Sequence, residues 1–122
     1  MTVQIKGVGW VGLRTEKWQE MVKFYEDVFG LKIAHERPNG FNFRLPNGDT
    51  IEGVQPQDDN PFVTGPIPGY EVDDVAAARA EMEAKGVKFI GPIRGGAPMN
   101  TWSHYYAPDG NIYFICQRGE QG

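Results

Sequence analysis

The sequence predicts an α+β fold made of two tandem modules, each running strand, helix, strand, hairpin. Three observations carry this. The order of hydrophobic patterns in the first half returns in the second. Each half holds one amphipathic stretch closed by a glycine, Gly30 and Gly86. Each half then reaches a turn of the same chemistry, Pro46-Asn47-Gly48-Asp49 and Pro108-Asp109-Gly110-Asn111. Asn-Gly and Asp-Gly tolerate the positive φ that tight hairpins need.

Taken in order, Val8–Arg14 reads as the first strand. Thr15 stands where a helix N-cap belongs, with Glu16 suited to the positive helix end. Trp18, Met21, Val22, Tyr25, Val28 and Phe29 recur at three- and four-residue spacing and form one apolar stripe. Gly30 supplies a left-handed C-terminal residue. A short strand, Leu31–Arg37, leads to the first hairpin, where Phe41, Phe43 and Leu45 alternate with Asn42 and Arg44. The segment 56–66, rich in Pro, Asp and Asn, reads as a surface linker. Module two opens with a strand ending at Glu71-Val72. Its helix starts at Asp73 or Asp74 and carries Val75, Ala78 and Met82 on one face. It is less apolar than the first helix, and we expect it to be less deeply buried. Val87–Ile90 is a strand, Gly91–Pro98 a mobile glycine-rich lid, and Trp102–Tyr106 an aromatic strand leading to the second hairpin.

Composition sets mild bounds. The 122 residues fit one domain, and 40% hydrophobic with 12% aromatic residues is ordinary for a globular protein. The net charge of −4 and the scattered Lys and Arg residues give no basic stripe, so nucleic acid is not the expected partner. No apolar run reaches membrane-spanning length, and no signal-peptide core is present. We therefore expect no membrane partner and a cytoplasmic address. The single cysteine, Cys116, lies in the apolar run Ile-Tyr-Phe-Ile-Cys and reads as a small buried hydrophobe.

The repeat brings four positions into correspondence. Aligning Leu13 with Tyr70 places Trp10 over Ile67, and aligning the two hairpin ends places Glu52 over Phe114. If Val11 and Leu13 face the helix, Trp10 lies on the opposite sheet face, because strand residues alternate. An aromatic there means that this face is covered too, either by the other module around a pocket or by a dimer seam.

These residues resemble a known family. Trp10-Val11-Gly12-Leu13, the run Lys23-Phe24-Tyr25-Glu26-Asp27-Val28-Phe29-Gly30-Leu31, Glu71-Val72-Asp73-Asp74-Val75, and Ala107-Pro108-Asp109-Gly110-Asn111-Ile112-Tyr113 are similar to the vicinal oxygen chelate superfamily. It comprises glyoxalase I, bleomycin-resistance proteins and extradiol dioxygenases. The resemblance spans roughly residues 5 to 118. It implies a single domain of two βαβββ modules with curved mixed sheets enclosing a concave pocket (module one 5–55, linker 56–66, module two 67–118), often completed as a homodimer. It also implies a divalent metal held from four equivalent strand positions in the catalytic members. In this chain those positions are Trp10, Glu52, Ile67 and Phe114. Indole, sec-butyl and phenyl groups offer no donor. Glu52 is the only retained metal candidate, so no cofactor is expected, a divalent metal being the alternative.

Each site residue has a plain reading beside the functional one. Trp10 reads as a packing residue rather than a stacking platform. Glu52 either points to solvent or is an inward carboxylate able to act as general base or to hold an ammonium group. Arg44 meets Glu52 across the hairpin only if the loop is odd; an even loop pairs it with Ile51. His104 shares a face with Trp102 and Tyr106 and reads as packing before catalysis, and His35 is expected to be exposed. Asn42 and Arg44 line the concave side, and Arg94 is a contact for an anionic ligand. The residues proposed to touch ligand are thus Trp10, Asn42, Arg44, Ile67, Arg94, Trp102, Tyr106 and Phe114, with Glu52 and His104 as catalytic candidates.

Three functions follow. The first is a glyoxalase/bleomycin-resistance-like protein that binds a small hydrophobic or aromatic molecule in an aromatic pocket, its metal site largely lost. The second is a lyase, isomerase or dioxygenase of the same superfamily using Glu52 as base or residual ligand. The third is a structural or regulatory dimer whose pocket is filled by its own side chains.

Overall fold

The computed structural model describes residues 3–38, 40–54 and 66–120. The expected linker falls almost wholly outside them. Each half has the order βαβββ: β1 (Gly7–Arg14), α1 (Trp18–Phe29), β2 (Ile33–Arg37), β3 (Gly40–Arg44), β4 (Thr50–Val54), then β5 (Ile67–Glu71), α2 (Val75–Ala84), β6 (Phe89–Gly95), β7 (Thr101–Tyr106), β8 (Ile112–Gln117). The fold is α+β, with two tandem modules of mixed sheet. Two compact units result, Trp10–Ile67 and Pro68 onward, the latter joined by the segment ahead of Trp10.

In the first unit the strand order is β2-β3-β4-β1, antiparallel except for the parallel β1–β4 pair. Leu13, Phe41 and Phe43 form the core, packed by Trp18, Met21, Val22 and Tyr25 of α1 and by Ile51. Phe41 and Phe43 are fully buried, their rings 5.4 Å apart edge to face. Gly53 permits this, because a Cβ there would sit 2.6 Å from the Phe41 ring. Gly30 closes α1 at φ +67, its N–H bonded to the Glu26 carbonyl. The start of α1 differs from expectation: Lys17 is the N-cap and no side chain caps the helix. The Thr15 hydroxyl instead accepts from the Lys17 N–H at 3.0 Å, a turn one step ahead of the helix.

In the second unit the order is β5-β8-β7-β6, again with one parallel pair, β5–β8. Val72, Val75, Ala78, Tyr105 and Ile115 form its core, with Val3, Met82 and Phe89 packed against them. Asp74 caps α2 by accepting from the Ala77 N–H at 3.1 Å. The Val75 N–H donates to Gln117 Oε1 at 2.9 Å, which ties the helix start to β8.

Two expectations are corrected here. α2, not α1, is the more deeply buried helix: Val75 and Ala78 are buried, whereas α1 has no fully buried residue and leaves Phe24, Val28 and Phe29 exposed. Small side chains let a helix approach its sheet closely, while bulky ones hold it off and keep their own edges wet. The expected lid is also largely strand, since β6 runs to Gly95 and pairs with β7. A bulge between Ile90 and Arg94, with Gly91 at φ +67, absorbs the Gly-Pro step that reads as loop. Among the described residues no helix is long and apolar enough to cross a membrane.

Candidate functional site

Because Leu13, Phe41, Phe43 and Ile51 face α1, their neighbours lie on the other side of the first unit's sheet. One row across that face is Gly12, Glu52, Asn42, His35; the next is Trp10, Thr50, Arg44. Glu52 and Asn42 are half-buried, Thr50 is buried, Arg44 and His35 are exposed, and Trp10 is 2% exposed. Glu52 therefore sits on the helix-free face, not among the core side chains. Arg44 pairs with Thr50, while Glu52 faces Asn42, so neither expected pairing of Arg44 occurs. The loop is odd, but its centre lies at Asn47, which moves the register one pair toward the turn.

The arginine close to Glu52 is Arg14, which sequence reasoning missed. On β1 it follows Trp10 and Gly12 at two-residue steps and so shares their face; the same alternation applied to Arg14 would have found it. Its register partner is Val54, which places it diagonally from Glu52 across a parallel pair. Burial lowers the Arg14 pKa from its usual value, and the negative charge of Glu52 works against that shift. An Nη1–H of Arg14 donates to the Leu13 carbonyl at 3.1 Å. Ile67 belongs to the same unit and is 2% exposed.

The second unit's corresponding face carries the remaining predicted residues. Gly69, Phe114, His104 and Ile90 form one row, and Glu71, Cys116, Trp102 and Arg94 form the next. Phe114 and His104 are 2% and 5% exposed, their rings 5.2 Å apart. Cys116 is buried, as its apolar setting implies. The Trp102 ring lies over Gly95, where a Cβ would come within 2.6 Å of it. Arg94 is half-buried and Tyr106 is half exposed. Glu71 is held by Arg118 Nε at 3.1 Å. On the α2 side Tyr105 has its pKa pushed up to about 12, first by burial and then by Tyr70, Tyr113 and Asp109. The structure thus brings Glu52, Asn42, Arg44 and Trp10 together on one face, and His104, Trp102, Phe114, Tyr106 and Arg94 on another.

The registers bear out the internal alignment. Glu52 faces Gly12 and Asn42, as Phe114 faces Gly69 and His104. At the four corresponding positions Glu52 alone has a metal donor. Among the described residues no group of three or more His, Cys, Asp and Glu side chains is placed to hold an ion. Of the four positions one has a donor, where a divalent metal takes roughly three or four.

A repeated βαβββ unit, its helix packed on one face of a mixed four-stranded sheet, is the architecture that both halves share. The profile of the Glyoxalase/Bleomycin resistance protein/Dioxygenase superfamily matches residues 7–113, and the chain belongs to that superfamily. Among solved structures it is similar to methylmalonyl-CoA epimerase from Mycobacterium tuberculosis, at TM-score 0.76 and 18% identity over 98% of this chain and 92% of that one. It is similar to the Mn(II)-bound glyoxalase from Novosphingobium aromaticivorans, at TM-score 0.71 and 18% identity over 96% of this chain and 41% of that one. A superfamily member from Vibrio splendidus 12B01 matches at TM-score 0.65 and 17% identity, over 95% of this chain and 99% of that one. At these identities the likeness is one of fold. No curated protein matches the chain.

Proposed function

We propose that this chain is a small-molecule-binding, glyoxalase/bleomycin-resistance-like protein that acts without a resident metal. The observation that carries the reading is the helix-free face of the first unit. There Glu52, Asn42 and Arg14 stand half-buried beside Trp10 in a chain whose other three family metal positions hold Trp10, Ile67 and Phe114. Polar groups half-withdrawn from water beside an aromatic suit a ligand with an apolar body and a few polar atoms. A homodimer is part of the proposal, supported by the exposed Phe24, Val28 and Phe29 on α1.

A second reading, a structural module filled by its own side chains, is favoured by the burial of Trp10, Ile67 and Phe114 to 2% exposure each. The deciding experiment has two parts. Protein purified without chelator is offered nickel, zinc, manganese and iron(II), and its metal content is measured. It is then titrated with a panel of aromatic compounds while tryptophan fluorescence is followed. The proposal expects no stoichiometric metal and saturable binding of at least one compound. Stoichiometric metal removed by Glu52→Gln would overturn it in favour of an enzyme using Glu52 as ligand. No metal and no binding would favour the filled module.

A further inference from the structure

The sequence holds two Asn-Gly steps, Asn39-Gly40 and Asn47-Gly48, and Asn39 lies outside the described residues. Asn-Gly is the step most open to deamidation, because glycine leaves the following backbone nitrogen unhindered. Asn47 stands exposed in the turn between β3 and β4. Its Nδ2–H donates to Asp49 Oδ2 at 2.8 Å, and its Oδ1 accepts the Asp49 N–H at 3.0 Å. The Gly48 N–H donates to the Leu45 carbonyl at 2.9 Å. The turn between β7 and β8 repeats this with the two residue types exchanged. There Asp109 accepts from the Asn111 N–H at 2.9 Å and from its Nδ2–H at 3.1 Å, and it also receives the Tyr113 hydroxyl. Each turn thus pairs one amide with one carboxylate, and neither sets two carboxylates side by side. Asn111 is followed by Ile112, whose branched side chain shields the nitrogen, so only the first turn carries the reactive step.

We infer that Asn47 is a deamidation site which the folded turn restrains, and that its conversion loosens the hairpin of β3 and β4. In the reaction the Gly48 nitrogen attacks Asn47 Cγ and gives up its proton, and Nδ2 leaves as ammonia. Water then opens the resulting succinimide to an aspartate or, with one more carbon in the backbone, an isoaspartate. Water is the only other reactant. The turn opposes the first step, since Asn47 and Gly48 must give up three hydrogen bonds before the nitrogen reaches Cγ. An aspartate at position 47 has no donor for Asp49 and brings a second negative charge against it. The strands joined by this turn carry Asn42, Arg44 and Glu52, so the change reaches the helix-free face of the first unit.

The test incubates the full chain in mildly alkaline buffer, with and without urea, and follows Asn47 by mass spectrometry. Trypsin cuts after Arg44, so Asn39 and Asn47 fall in separate peptides. Conversion of Asn47 in the folded chain is expected to be on the order of tenfold slower than in urea. Asp49→Ala should erase part of that difference and leave the rate in urea unchanged. No conversion of Asn47 in urea would remove the site itself. Equal rates with and without urea, or an unmoved folded rate in Asp49→Ala, overturn the restraint. The wild-type comparison needs no variant, so it decides even where Asp49→Ala fails to fold. The consequence is read by hydrogen exchange at the Leu45 amide, which donates to the Asp49 carbonyl at 2.7 Å. Asn47→Asp should speed that exchange about fivefold. Asn47→Asp combined with Asp49→Asn, the order found between β7 and β8, should restore it. Unchanged exchange in the single variant, or no recovery in the double one, overturns the loosening.

Discussion

The two repeats share one backbone plan and hold opposite chemistry on their helix-free faces. Where the first has Glu52, Asn42 and Arg44, the second has Phe114, His104 and Tyr106; where the first has Arg14, the second has Glu71. The first face is polar and half-wet, while the second is aromatic and mostly buried. On the helix sides the contrast reverses. Phe41 and Phe43 in the first unit correspond to Ser103 and Tyr105 in the second, and Ser103 takes a hydrogen bond from Arg79 at 3.1 Å. Register and strand order are therefore set by alternation and turns, and the two faces remain free to diverge. Fold membership alone does not transfer chemistry from one repeat to the other, still less from one protein to another.

The largest effect that should break this symmetry is Phe43→Ala. Its ring is fully buried against Phe41 and Tyr25, and truncation should cost about 3–5 kcal/mol in denaturant unfolding. Gly53→Ala comes next, at about 1–3 kcal/mol, because the new methyl meets the Phe41 ring. At the corresponding place the second unit has Ile115, so no such sensitivity exists there.

Tyr105 sharpens the contrast through pH. Its folded pKa is raised from 10.0 to about 12, so the folded state holds the phenol proton more tightly than the unfolded chain does. Its contribution is complete below pH 10 and drains away as pH rises toward about 12. Unfolding free energies measured from pH 8 upward should fall in that window, and Tyr105→Phe should flatten the fall. An unchanged slope in that variant would remove Tyr105 as the cause. Smaller again, Asp74→Ala should cost about 1 kcal/mol by deleting the α2 cap, whereas Thr15→Ala ahead of α1 should cost a few tenths. Smallest of all, Phe24→Ser should shift the stability of the isolated chain by no more than about 0.5 kcal/mol. Light scattering on the same variant checks the proposed homodimer, which should weaken if α1 forms part of its seam.

Much of this was legible in the residues. The repeat, the two turns, the Gly30 terminus and a start of α2 at Asp73 or Asp74 depend on local chemistry that sequence states directly, and the structure settles the cap on Asp74. The correspondence of Glu52 with Phe114 followed from counting between those landmarks. The depth of the helices was not legible, because an apolar stripe says which face turns inward but not how closely Trp18 or Ala78 lets it approach. β6 was misread because Gly91 and Pro92 punctuate loops and bulged edge strands alike. The position of Arg44 depended on where the turn is centred, a one-pair difference that composition does not encode. Arg14 was within reach of the sequence, because strand alternation places Trp10, Gly12 and Arg14 on one face.

The stretch ahead of Trp10 belongs with the second unit. The Lys6 N–H reaches the Glu71 carbonyl at 2.8 Å, Lys6 Nζ meets Asp73 at 3.0 Å, and Val3 packs on the α2 cluster. During synthesis these residues leave the ribosome with the whole first repeat still to be made before their partners exist. Ile5 and Val8, more than half exposed even when folded, must wait in that interval with their backbone unpaired. The first repeat can close around Phe41 and Phe43 meanwhile, but the second is complete only when its earliest-made and last-made segments meet. Closing so long a loop is entropically slow, so the order of translation and the order of assembly run in opposite directions here.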